Sequence, residues 1–189
     1  MKHIKKKNID GDIIECGVFK GGNLILFKKM INELELNKKV YAYDTFEGMP
    51  LPSHSDVDLK DIDAKKIYEK YKSKNIGWCF SSINDVKDNI KKFGYEINDS
   101  FKLIKGKVED TLKEQNNLPN QIALLRLDTD FYESTKIELE ILYPKLEKGG
   151  VLIIDDYGHW KGSRKAVDEY FKIENDFHWF HRIDYASRL

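Results

Sequence analysis

Short, almost continuously apolar runs alternate along the chain with longer segments whose apolar residues recur at helical spacing. The runs have the length and the aliphatic content of β-strands, and several of them lack the polar alternation of a half-exposed strand. Strands of this kind are typical of a parallel sheet that helices cover on both faces. The five predicted strands are 11–18, 39–46, 100–108, 122–129 and 150–157.

Three of the intervening segments predict helices that pack on this sheet. Each places its apolar residues on one side of a helix, and Ser163 is in position to cap the third. The alternation predicts an α/β fold with a doubly wound, mostly parallel sheet and helices on both faces. The end of the chain, 177–189, is rich in aromatic and β-forming residues and predicts a final strand or hairpin. The predicted helices are 23–36, 132–143 and 163–173.

One long polar segment, 47–99, interrupts the alternation. It contains no clear strand, and a segment of this length in a compact domain usually has helices of its own or forms a lid. We expect a mobile loop over 51–62 and helices over 62–73 and 83–93. The sequence therefore predicts a single domain over 1–189, with 47–99 as a helical insert or lid region.

Charge and composition argue against several classes of protein. Lys plus Arg and Asp plus Glu both number 32, whereas a nucleic-acid-binding protein has a clear basic excess. No window approaches the roughly 18 apolar residues of a membrane span. The basic start "MKHIKKKN" lacks the apolar run of a signal peptide and predicts a solvated tail. Cys16 and Cys79 lie far apart without metal-type spacing, which favours reduced thiols in a cytoplasmic protein.

The run "ECGVFKGG", residues 15–22, joins the first predicted strand to the first predicted helix. Ligands of open α/β sheets bind at the carboxyl ends of the strands, and glycines there let a ligand approach the backbone. The run is not the dinucleotide fingerprint G-x-G-x-x-G. Instead, Glu15 precedes Gly17 by two residues, and a carboxylate there favours an amine-bearing or cationic ligand such as S-adenosylmethionine, which has an ammonium and a sulfonium. A purely structural glycine turn is the alternative.

Asp44 closes the second predicted strand in "KVYAYD". An acidic residue at this point can accept hydrogen bonds from both hydroxyls of a ribose. Enzymes that bind nicotinamide cofactors share this feature, so it supports an adenosine-type ligand without choosing among such ligands. The alternative is that Asp44 caps the turn before "FEGMP".

Aspartates follow the fourth and fifth predicted strands in "LRLDTDFYES" and "VLIIDDYGHW". Asp128 ends the fourth strand, and Asp155 and Asp156 end the fifth. Carboxylates gathered at one edge of a sheet cannot all stay ionised without a counter-charge. Oxygen-only ligands suit a hard cation such as Mg²⁺. The sequence therefore predicts a magnesium site formed by Asp128, Asp155 and Asp156.

A purely structural interpretation of these acids is also open. In it, Asp130 caps the helix that begins near Tyr132, and Asp155 or Asp156 pairs with Arg126 or Arg164. His159 follows the acidic pair and could act as a base or orient a substrate hydroxyl, although a loop histidine between aromatic residues is also a common surface feature. His178 and His181 alternate with Trp179 as in a strand, and we assign them no catalytic role.

Six ordered stretches together resemble the macrocin O-methyltransferase (TylF/MycF-like) family of class I S-adenosylmethionine-dependent methyltransferases. They cover most of 11–185, and the match is weakest in 51–95. The stretches are "GDIIECGVFKGG", "YAYDTFEGMP", "KLIKGKVEDTL", "LRLDTDFYESTKIELEILYPKLEKGG", "VLIIDDYGHWKGSRKAVDEYF" and "RIDY".

The resemblance implies a Rossmann-like methyltransferase fold and Mg²⁺-dependent transfer of a methyl group to a hydroxyl of a sugar or a related natural-product or glycan acceptor. By position, it assigns the methionine part of the cofactor to the first glycine loop, the ribose to Asp44, and the adenine to the end of the third strand. It places Asp128 beside both the cofactor and the metal, with Asp155 and Asp156 as the other metal ligands. The residues at the methionine part are Glu15, Gly17, Gly21 and Gly22, those near the adenine are Gly106, Lys107 and Val108, and the candidate proton acceptors are Asp128, His159 and Asp130.

Family members usually have further, often helical, sequence before the stretch that matches "GDIIECGV", where it contributes to a lid or to subunit contacts. The resemblance implies a homodimer. Only ten residues precede Gly11 here, which makes a non-catalytic relative one alternative. A nicotinamide-dependent oxidoreductase and a metal-dependent hydrolase are others. The residues do not identify the acceptor, but an aromatic rim of Tyr157, Trp160 and Tyr132 would suit a carbohydrate.

Overall fold

A computed structural model describes residues 1–173 and 180–189 of the chain. The described residues form a five-stranded sheet in the order β3-β2-β1-β4-β5, and each neighbouring pair of strands is parallel. The order reverses between β1 and β4, which is where ligands bind in open sheets of this kind. The strands are β1 (Asp12–Cys16), β2 (Val40–Asp44), β3 (Phe101–Lys105), β4 (Ile122–Leu127) and β5 (Leu146–Ile154).

Helices cover both faces of the sheet, as the sequence predicts. Ile13 and Ile14 are neighbours in β1, yet each belongs to a different hydrophobic cluster, because side chains alternate across a strand. One cluster contains residues of α1, α2 and α4, and the other contains residues of α5, α6 and α7. The helices are α1 (Lys2–Lys7), α2 (Gly22–Glu33), α3 (Ala64–Ser73), α4 (Ile83–Lys92), α5 (Val108–Thr111), α6 (Tyr132–Leu142) and α7 (Lys161–Ile173), with 3₁₀ turns at Gln115–Asn117 and Tyr143–Lys145.

The five predicted strands are present, each ends two or three residues before its predicted end, and the third and fifth differ most. The third strand ends at Lys105, and the short helix α5 follows where the sequence predicts that the strand continues. The fifth strand begins at Leu146, before the predicted start, and its register against β4 shifts between Ile122 and Leu124. Ser163 lies inside α7 and is not its cap, because the helix begins at Lys161.

The prediction of a solvated N-terminal tail is wrong. Residues Lys2–Lys7 form helix α1, and Ile4 on this helix is 1% exposed within the core. A left-handed residue, Asn8, ends the helix and turns the chain towards β1. Because one buried isoleucine among lysines holds this helix in place, hydrophobic periodicity gives little sign of it.

The insert contains the two predicted helices, α3 and α4, each with a side-chain cap at its start. Asp63 caps α3, and Ser82 caps α4 in a reciprocal pair with Asp85. The segment 51–62 differs from the mobile loop that the sequence predicts. Its backbone is fastened to the loop between β5 and α7, because Lys161 N donates to Val57 O at 2.9 Å and Leu59 N donates to His159 O at 3.1 Å.

The end of the chain forms a short hairpin, as predicted, over 181–189. Arg182 pairs with Arg188, and Arg188 pairs in turn with Ile154 at the end of β5. The hairpin therefore lies beside the strand that delivers Asp155 and Asp156. His178 and Trp179 lie outside the described residues. No helix in the described part of the chain has the length and apolar character needed to cross a membrane.

Candidate active site

A cavity of about 220 Å³ opens at the carboxyl end of the sheet, where the strand order reverses. Strands β1 to β4 contribute its walls, and the start of the insert closes one side. The residues that line it are Gly17, Phe19, Tyr43, Asp44, Thr45, Gly48, Met49, Pro50, Cys79, Gly106, Lys107, Val108, Glu109, Asp128, Thr129, Asp130 and Ser134.

Gly17 is the point where β1 and β4 meet at the cavity. Its amide donates to Tyr43 O at 2.9 Å, and the amide of Asp128 donates to Cys16 O at 2.9 Å. The φ angle of Gly17 is +84°, and a methyl group on its Cα would overlap the carbonyl oxygen of Asp128. A residue without a Cβ is therefore required here. Gly21 and Gly22, which the resemblance assigns to the cofactor, begin α2 and are absent from the described cavity wall.

Asp44 fixes the glycine loop to the end of β2. Its Oδ2 accepts hydrogen bonds from Val18 N at 2.7 Å and Phe19 N at 3.0 Å, and its Oδ1 accepts one from Phe46 N at 2.7 Å. The carboxylate lines the cavity at the position that the sequence assigns to the ribose site. The capping interpretation is also correct in part, because Asp44 holds the turn at Phe46.

Gly106, Lys107 and Val108 line the cavity beyond β3, where the resemblance places the adenine. Gly106 N donates to Asp44 O at 2.9 Å, so the ends of β2 and β3 are joined at the cavity wall. Val108 begins α5 and is buried, and it gives this side of the cavity an apolar surface.

Glu15 lies behind the glycine loop and is absent from the described cavity wall. The resemblance implies instead that Glu15 contacts the methionine part of the cofactor. It is 1% exposed, and its Oε1 accepts hydrogen bonds from Asn23 Nδ2 at 2.9 Å and Arg126 Nη1 at 3.0 Å. Burial raises the pKa of Glu15 to about 7, although Arg126 opposes this shift. Glu15 therefore has a structural role behind the loop, through its hydrogen bonds with Asn23 and Arg126.

Arg126 is a shared counter-charge for three carboxylates on one face of the sheet. It pairs with Glu15 across the β1–β4 register, and its Nη1 also donates to Asp128 Oδ2 at 2.6 Å. Its Nη2 donates to Asp155 Oδ1 at 2.9 Å, and Ser187 Oγ donates to the same oxygen at 3.3 Å. The ion pair between Asp155 and Arg126 that the structural interpretation allows is therefore present.

Three aspartates converge beside the cavity: Asp128, Asp130 and Asp156. Each offers a carboxylate oxygen, and these oxygens all lie within 4.8 Å of one another. The structure thus brings together two of the predicted ligands, Asp128 and Asp156, and adds Asp130 where the sequence predicts Asp155. Asp130 has a left-handed φ of +67°, which turns its side chain towards Asp156. It does not cap α6.

Electrostatics in this group favour a bound cation or a bound proton. Burial raises the pKa of Asp128 to about 8 and that of Asp130 to about 7, and burial with the nearby Asp130 raises the pKa of Asp156 well above its ordinary value. Oδ2 of Asp156 is buried without a hydrogen-bond partner among the described residues. An orphaned carboxylate oxygen beside two others is an oxygen-only donor set that fits Mg²⁺.

His159 lies at the rim of the acidic group and is absent from the described cavity wall. Its amide donates to Asp156 O at 2.9 Å, and its ring contacts Trp160 and Tyr185 with centroid separations of 5.0 and 5.9 Å. The predicted aromatic rim is not formed, because Trp160 is 3% exposed and the hydroxyls of Tyr132 and Tyr157 donate to acids of α7. Tyr185, which is 61% exposed, is the aromatic residue that stands at this rim.

Sequence reasoning missed the contribution of the insert to the site. Met49 and Cys79 line the cavity, and Asp56 contacts the first residue of α6. A polar segment with no strand gives no sign of which residues fold back onto the sheet. The role of Arg126 is easier to recognise in the sequence, because it is a cation two residues before Asp128 in a buried strand.

Comparison with known proteins assigns the chain to a family. Residues 1–187 match the family model described as Macrocin-O-methyltransferase (TylF). A Streptomyces olivaceus protein, 8-demethyl-8-(2,3-dimethoxy-alpha-L-rhamnosyl)-tetracenomycin-C 4'-O-methyltransferase, is 31% identical over 86% of this chain and 58% of its own length. The mycinamicin III 3''-O-methyltransferase of Micromonospora griseorubida is 29% identical over 87% of this chain and 62% of its own length.

Solved structures agree with this match. The O-methyltransferase NovP superposes with a TM-score of 0.84 at 28% identity, covering 99% of this chain and 74% of NovP. The calicheamicin methyltransferase CalS11, with a TM-score of 0.70 at 21% identity over 99% of this chain and 73% of its own, supports the fold alone. The chain spans about three fifths of the length of the curated relatives that it matches. The fold that the sequence predicts is confirmed, and the chain belongs to the TylF macrocin O-methyltransferase family.

Proposed function

We propose that this protein is an S-adenosylmethionine- and Mg²⁺-dependent O-methyltransferase that acts on a hydroxyl of a sugar or a related natural-product or glycan acceptor. The observation that carries the proposal is the position of Asp128, which both lines the cavity and belongs to the group of three carboxylates. Asp130 also belongs to both, so the cavity and the carboxylate group adjoin, which suits methyl transfer to a hydroxyl that a bound cation activates.

The cavity has the features needed to hold S-adenosylmethionine, which would supply a methyl group on a sulfonium cation. Asp44 is in place for the ribose, and the apolar wall at Val108 suits an adenine ring. Gly17 has no side chain at the point where the strand order reverses, so a ligand can lie directly against the backbone there. Asp128 and Asp130 would face the positively charged end of the cofactor, where their negative charge is favourable.

Asp128, Asp130 and Asp156 would hold Mg²⁺, which in this position would lower the pKa of an acceptor hydroxyl. Asp155 would keep its ion pair with Arg126 and so steady the loop that carries Asp156. Asp128 and Asp130 line the cavity, where each would lie within reach of an acceptor hydroxyl held beside the cofactor. They are therefore better candidates for the base than His159, which stands at the rim.

The acceptor class is inferred from the relatives and from the rim. Two relatives are named for methylation of a rhamnosyl tetracenomycin and of mycinamicin III. Tyr185 presents an exposed ring beside His159, which would suit the apolar face of a sugar. The homodimer that the resemblance implies stays a prediction.

Titration calorimetry with S-adenosylhomocysteine, with and without Mg²⁺, tests cofactor binding directly. A mass-spectrometric screen of nucleotide-sugars and glycosides for one added methyl group then tests the activity. We expect binding, a methylated product, and loss of turnover in Asp128→Asn. Failure of the wild-type protein to bind S-adenosylhomocysteine would overturn the proposal, whereas binding without any methylated acceptor would favour the non-catalytic alternative.

A further inference from the structure

Asp56, in the insert, is a buried carboxylate whose two oxygens accept three hydrogen bonds. It is 1% exposed, and its Oδ1 accepts a hydrogen bond from Tyr132 N at 2.8 Å. Its Oδ2 accepts hydrogen bonds from Ser53 N and Ser53 Oγ, both at 2.7 Å. A charge is costly to bury, so a site that satisfies it this fully is built for a carboxylate.

The contact with Tyr132 caps helix α6 from a distant part of the chain. Tyr132 is the first residue of α6, and Phe131 at the N-cap position makes no side-chain cap within the described residues. The free amides and the positive end of the helix dipole favour a carboxylate at this position. Such a cap usually comes from the residue before the helix, whereas Asp56 lies 76 positions away in sequence. It therefore holds the turn between β4 and α6, which carries Asp130.

The residues just after Asp56 also bind the second loop that carries an acid of the group, which is the loop between β5 and α7 with Asp156. Lys161 N donates to Val57 O, and Leu59 N donates to His159 O, so residues 57–59 lie along the loop that follows Asp156. Gly162 packs directly on Asp56, and a methyl group at Gly162 would overlap Asp56 Oδ1. Asp56 thus contacts both the turn that carries Asp130 and the start of α7.

An aromatic contact completes the connection between these loops. Trp160 packs edge-on against Phe131, the residue after Asp130, with ring centroids 5.8 Å apart. Trp78 of the insert contacts both rings, at 6.0 Å from Phe131 and 6.1 Å from Trp160. The separation between Asp130 and Asp156 therefore depends on two loops that the insert holds together.

We propose that Asp56 is a positioning residue that sets the spacing of Asp130 and Asp156 and so determines the affinity of the site for Mg²⁺. The proposal rests on the proposed function, because it takes these aspartates as metal ligands. Asp56 itself touches neither cofactor nor metal. Its removal frees the turn at Tyr132 and the start of α7, while the glycine loop and Asp44 on the far side of the cavity keep their contacts.

The test compares Asp56→Ala with Asp63→Ala by calorimetric titration of Mg²⁺ and, separately, of S-adenosylhomocysteine. Asp63 is a matched control, since it caps α3 in the same insert by accepting from Lys65 N at 2.8 Å and contacts neither acid-bearing loop. We expect Asp56→Ala to weaken Mg²⁺ binding by about tenfold or more, as is typical for residues that orient metal ligands. In Asp56→Ala, the affinity for S-adenosylhomocysteine should change by less than about twofold, which is well below the effect expected for Mg²⁺. Asp63→Ala should change neither affinity.

Two further variants keep the test decisive if Asp56→Ala does not fold. Asp56→Asn keeps an oxygen for Tyr132 N and should give an intermediate Mg²⁺ affinity, and Gly162→Ala should weaken Mg²⁺ binding by pushing on Asp56 from the other side. Unchanged Mg²⁺ affinity in these variants, or equal weakening by Asp63→Ala, would overturn the positioning role alone. If the wild-type protein failed to bind S-adenosylhomocysteine, or failed to bind Mg²⁺, that result would instead overturn the proposed function.

Discussion

At the scale of single residues, Arg126 shows how the fold tolerates so many acids at one edge of the sheet. Its guanidinium reaches Glu15, Asp128 and Asp155 from near the end of β4, and its side chain is only 14% exposed. A planar group with several donors can serve three carboxylates at once, which a lysine ammonium does less well. The remaining acids, Asp130 and Asp156, place carboxylate oxygens within 4.8 Å of each other and of Asp128.

Replacing Arg126 with methionine should destabilise the metal-free protein by about 3 kcal/mol, because it leaves buried carboxylates without their counter-charge. Urea unfolding without Mg²⁺ measures the change. Added Mg²⁺ should recover part of the loss, since a dication supplies positive charge to the same group. Lys29→Met is the control, because Lys29 pairs with Glu33 on the surface of α2 and should cost at most about 1 kcal/mol. Equal effects of the two substitutions would contradict the role of Arg126.

Glu138 is a second residue whose environment sets its protonation. It lies on α6 and is fully buried, its Oε1 accepts from Thr129 Oγ1 at 2.9 Å, and its Oε2 has no partner among the described residues. Burial raises the pKa of Glu138 well above its ordinary value of 4.5. The folded protein therefore keeps the proton of this group to a higher pH than the unfolded chain does.

This difference predicts a pH dependence that Glu138→Gln should remove. The protonated form stabilises the fold fully below about pH 4.5, and the contribution is lost as the pH rises towards the folded pKa, by about 1.4 kcal/mol per pH unit. Relative to the wild type, the glutamine variant should thus gain stability between pH 5 and pH 8 in urea unfolding. Glu140→Gln, exposed on the same helix, should show no such trend. A constant difference between variant and wild type across this range would disprove the prediction.

At the scale of elements, the close approach of the backbone after β1 to the backbone after β4, at Gly17, controls the shape of the cavity. Gly17 has a positive φ, and the carbonyl of Asp128 occupies the space that a side chain would need. The glycine loop, the end of β4 and the acidic group are therefore fixed by one close backbone contact. The same contact explains why the residue after a buried strand here is glycine.

Gly17→Ala should accordingly weaken S-adenosylhomocysteine binding at least about tenfold and lower stability by about 1–3 kcal/mol, because it adds backbone strain and pushes the end of β4 away. Calorimetry and thermal unfolding measure the two effects. Gly22→Ala is a matched substitution in the same loop, since no described atom lies within 4 Å of the place that its new methyl group would occupy and it begins α2. It should leave both quantities almost unchanged. Tight cofactor binding by Gly17→Ala would contradict this account of the loop.

The same scale shows what could be predicted of the fold. The strands could be predicted because each contains closely spaced apolar residues of which at least one is buried, and α2, α6 and α7 because each buries one side. Helices α1 and α5 could not, since α1 depends on the tertiary burial of Ile4 and α5 has only four residues. The docking of 51–62 could not be predicted either, because its contacts are backbone hydrogen bonds and the buried Asp56, which leave no hydrophobic pattern.

At the scale of the whole molecule, the site is assembled from segments far apart in sequence, and this limits what the sequence can reveal. The strand ends placed Asp44, Asp128 and Asp156 correctly at one edge, because parallel strands deliver their carboxyl ends to the same side. The exchange of Asp155 for Asp130 in the carboxylate group depends on a left-handed turn at Asp130 and on the ion pair of Asp155 with Arg126. Neither feature follows from residue spacing along a strand.

Global stability should report which of these acids binds the metal. A ligand that binds only the folded protein stabilises it by about 2.7 kcal/mol at one hundred times its Kd, so Mg²⁺ should raise the unfolding midpoint of the wild type. Asp130→Asn should abolish most of this increment, because Asp130 contributes one of the three clustered oxygens. Asp155→Asn should keep most of it, because Asp155 is engaged by Arg126 and Ser187. Urea unfolding of both variants with EDTA and with Mg²⁺ measures the increments. If Asp155→Asn loses the increment and Asp130→Asn keeps it, the ligand set is the one that the strand ends predict, and the arrangement around Arg126 must change when Mg²⁺ binds.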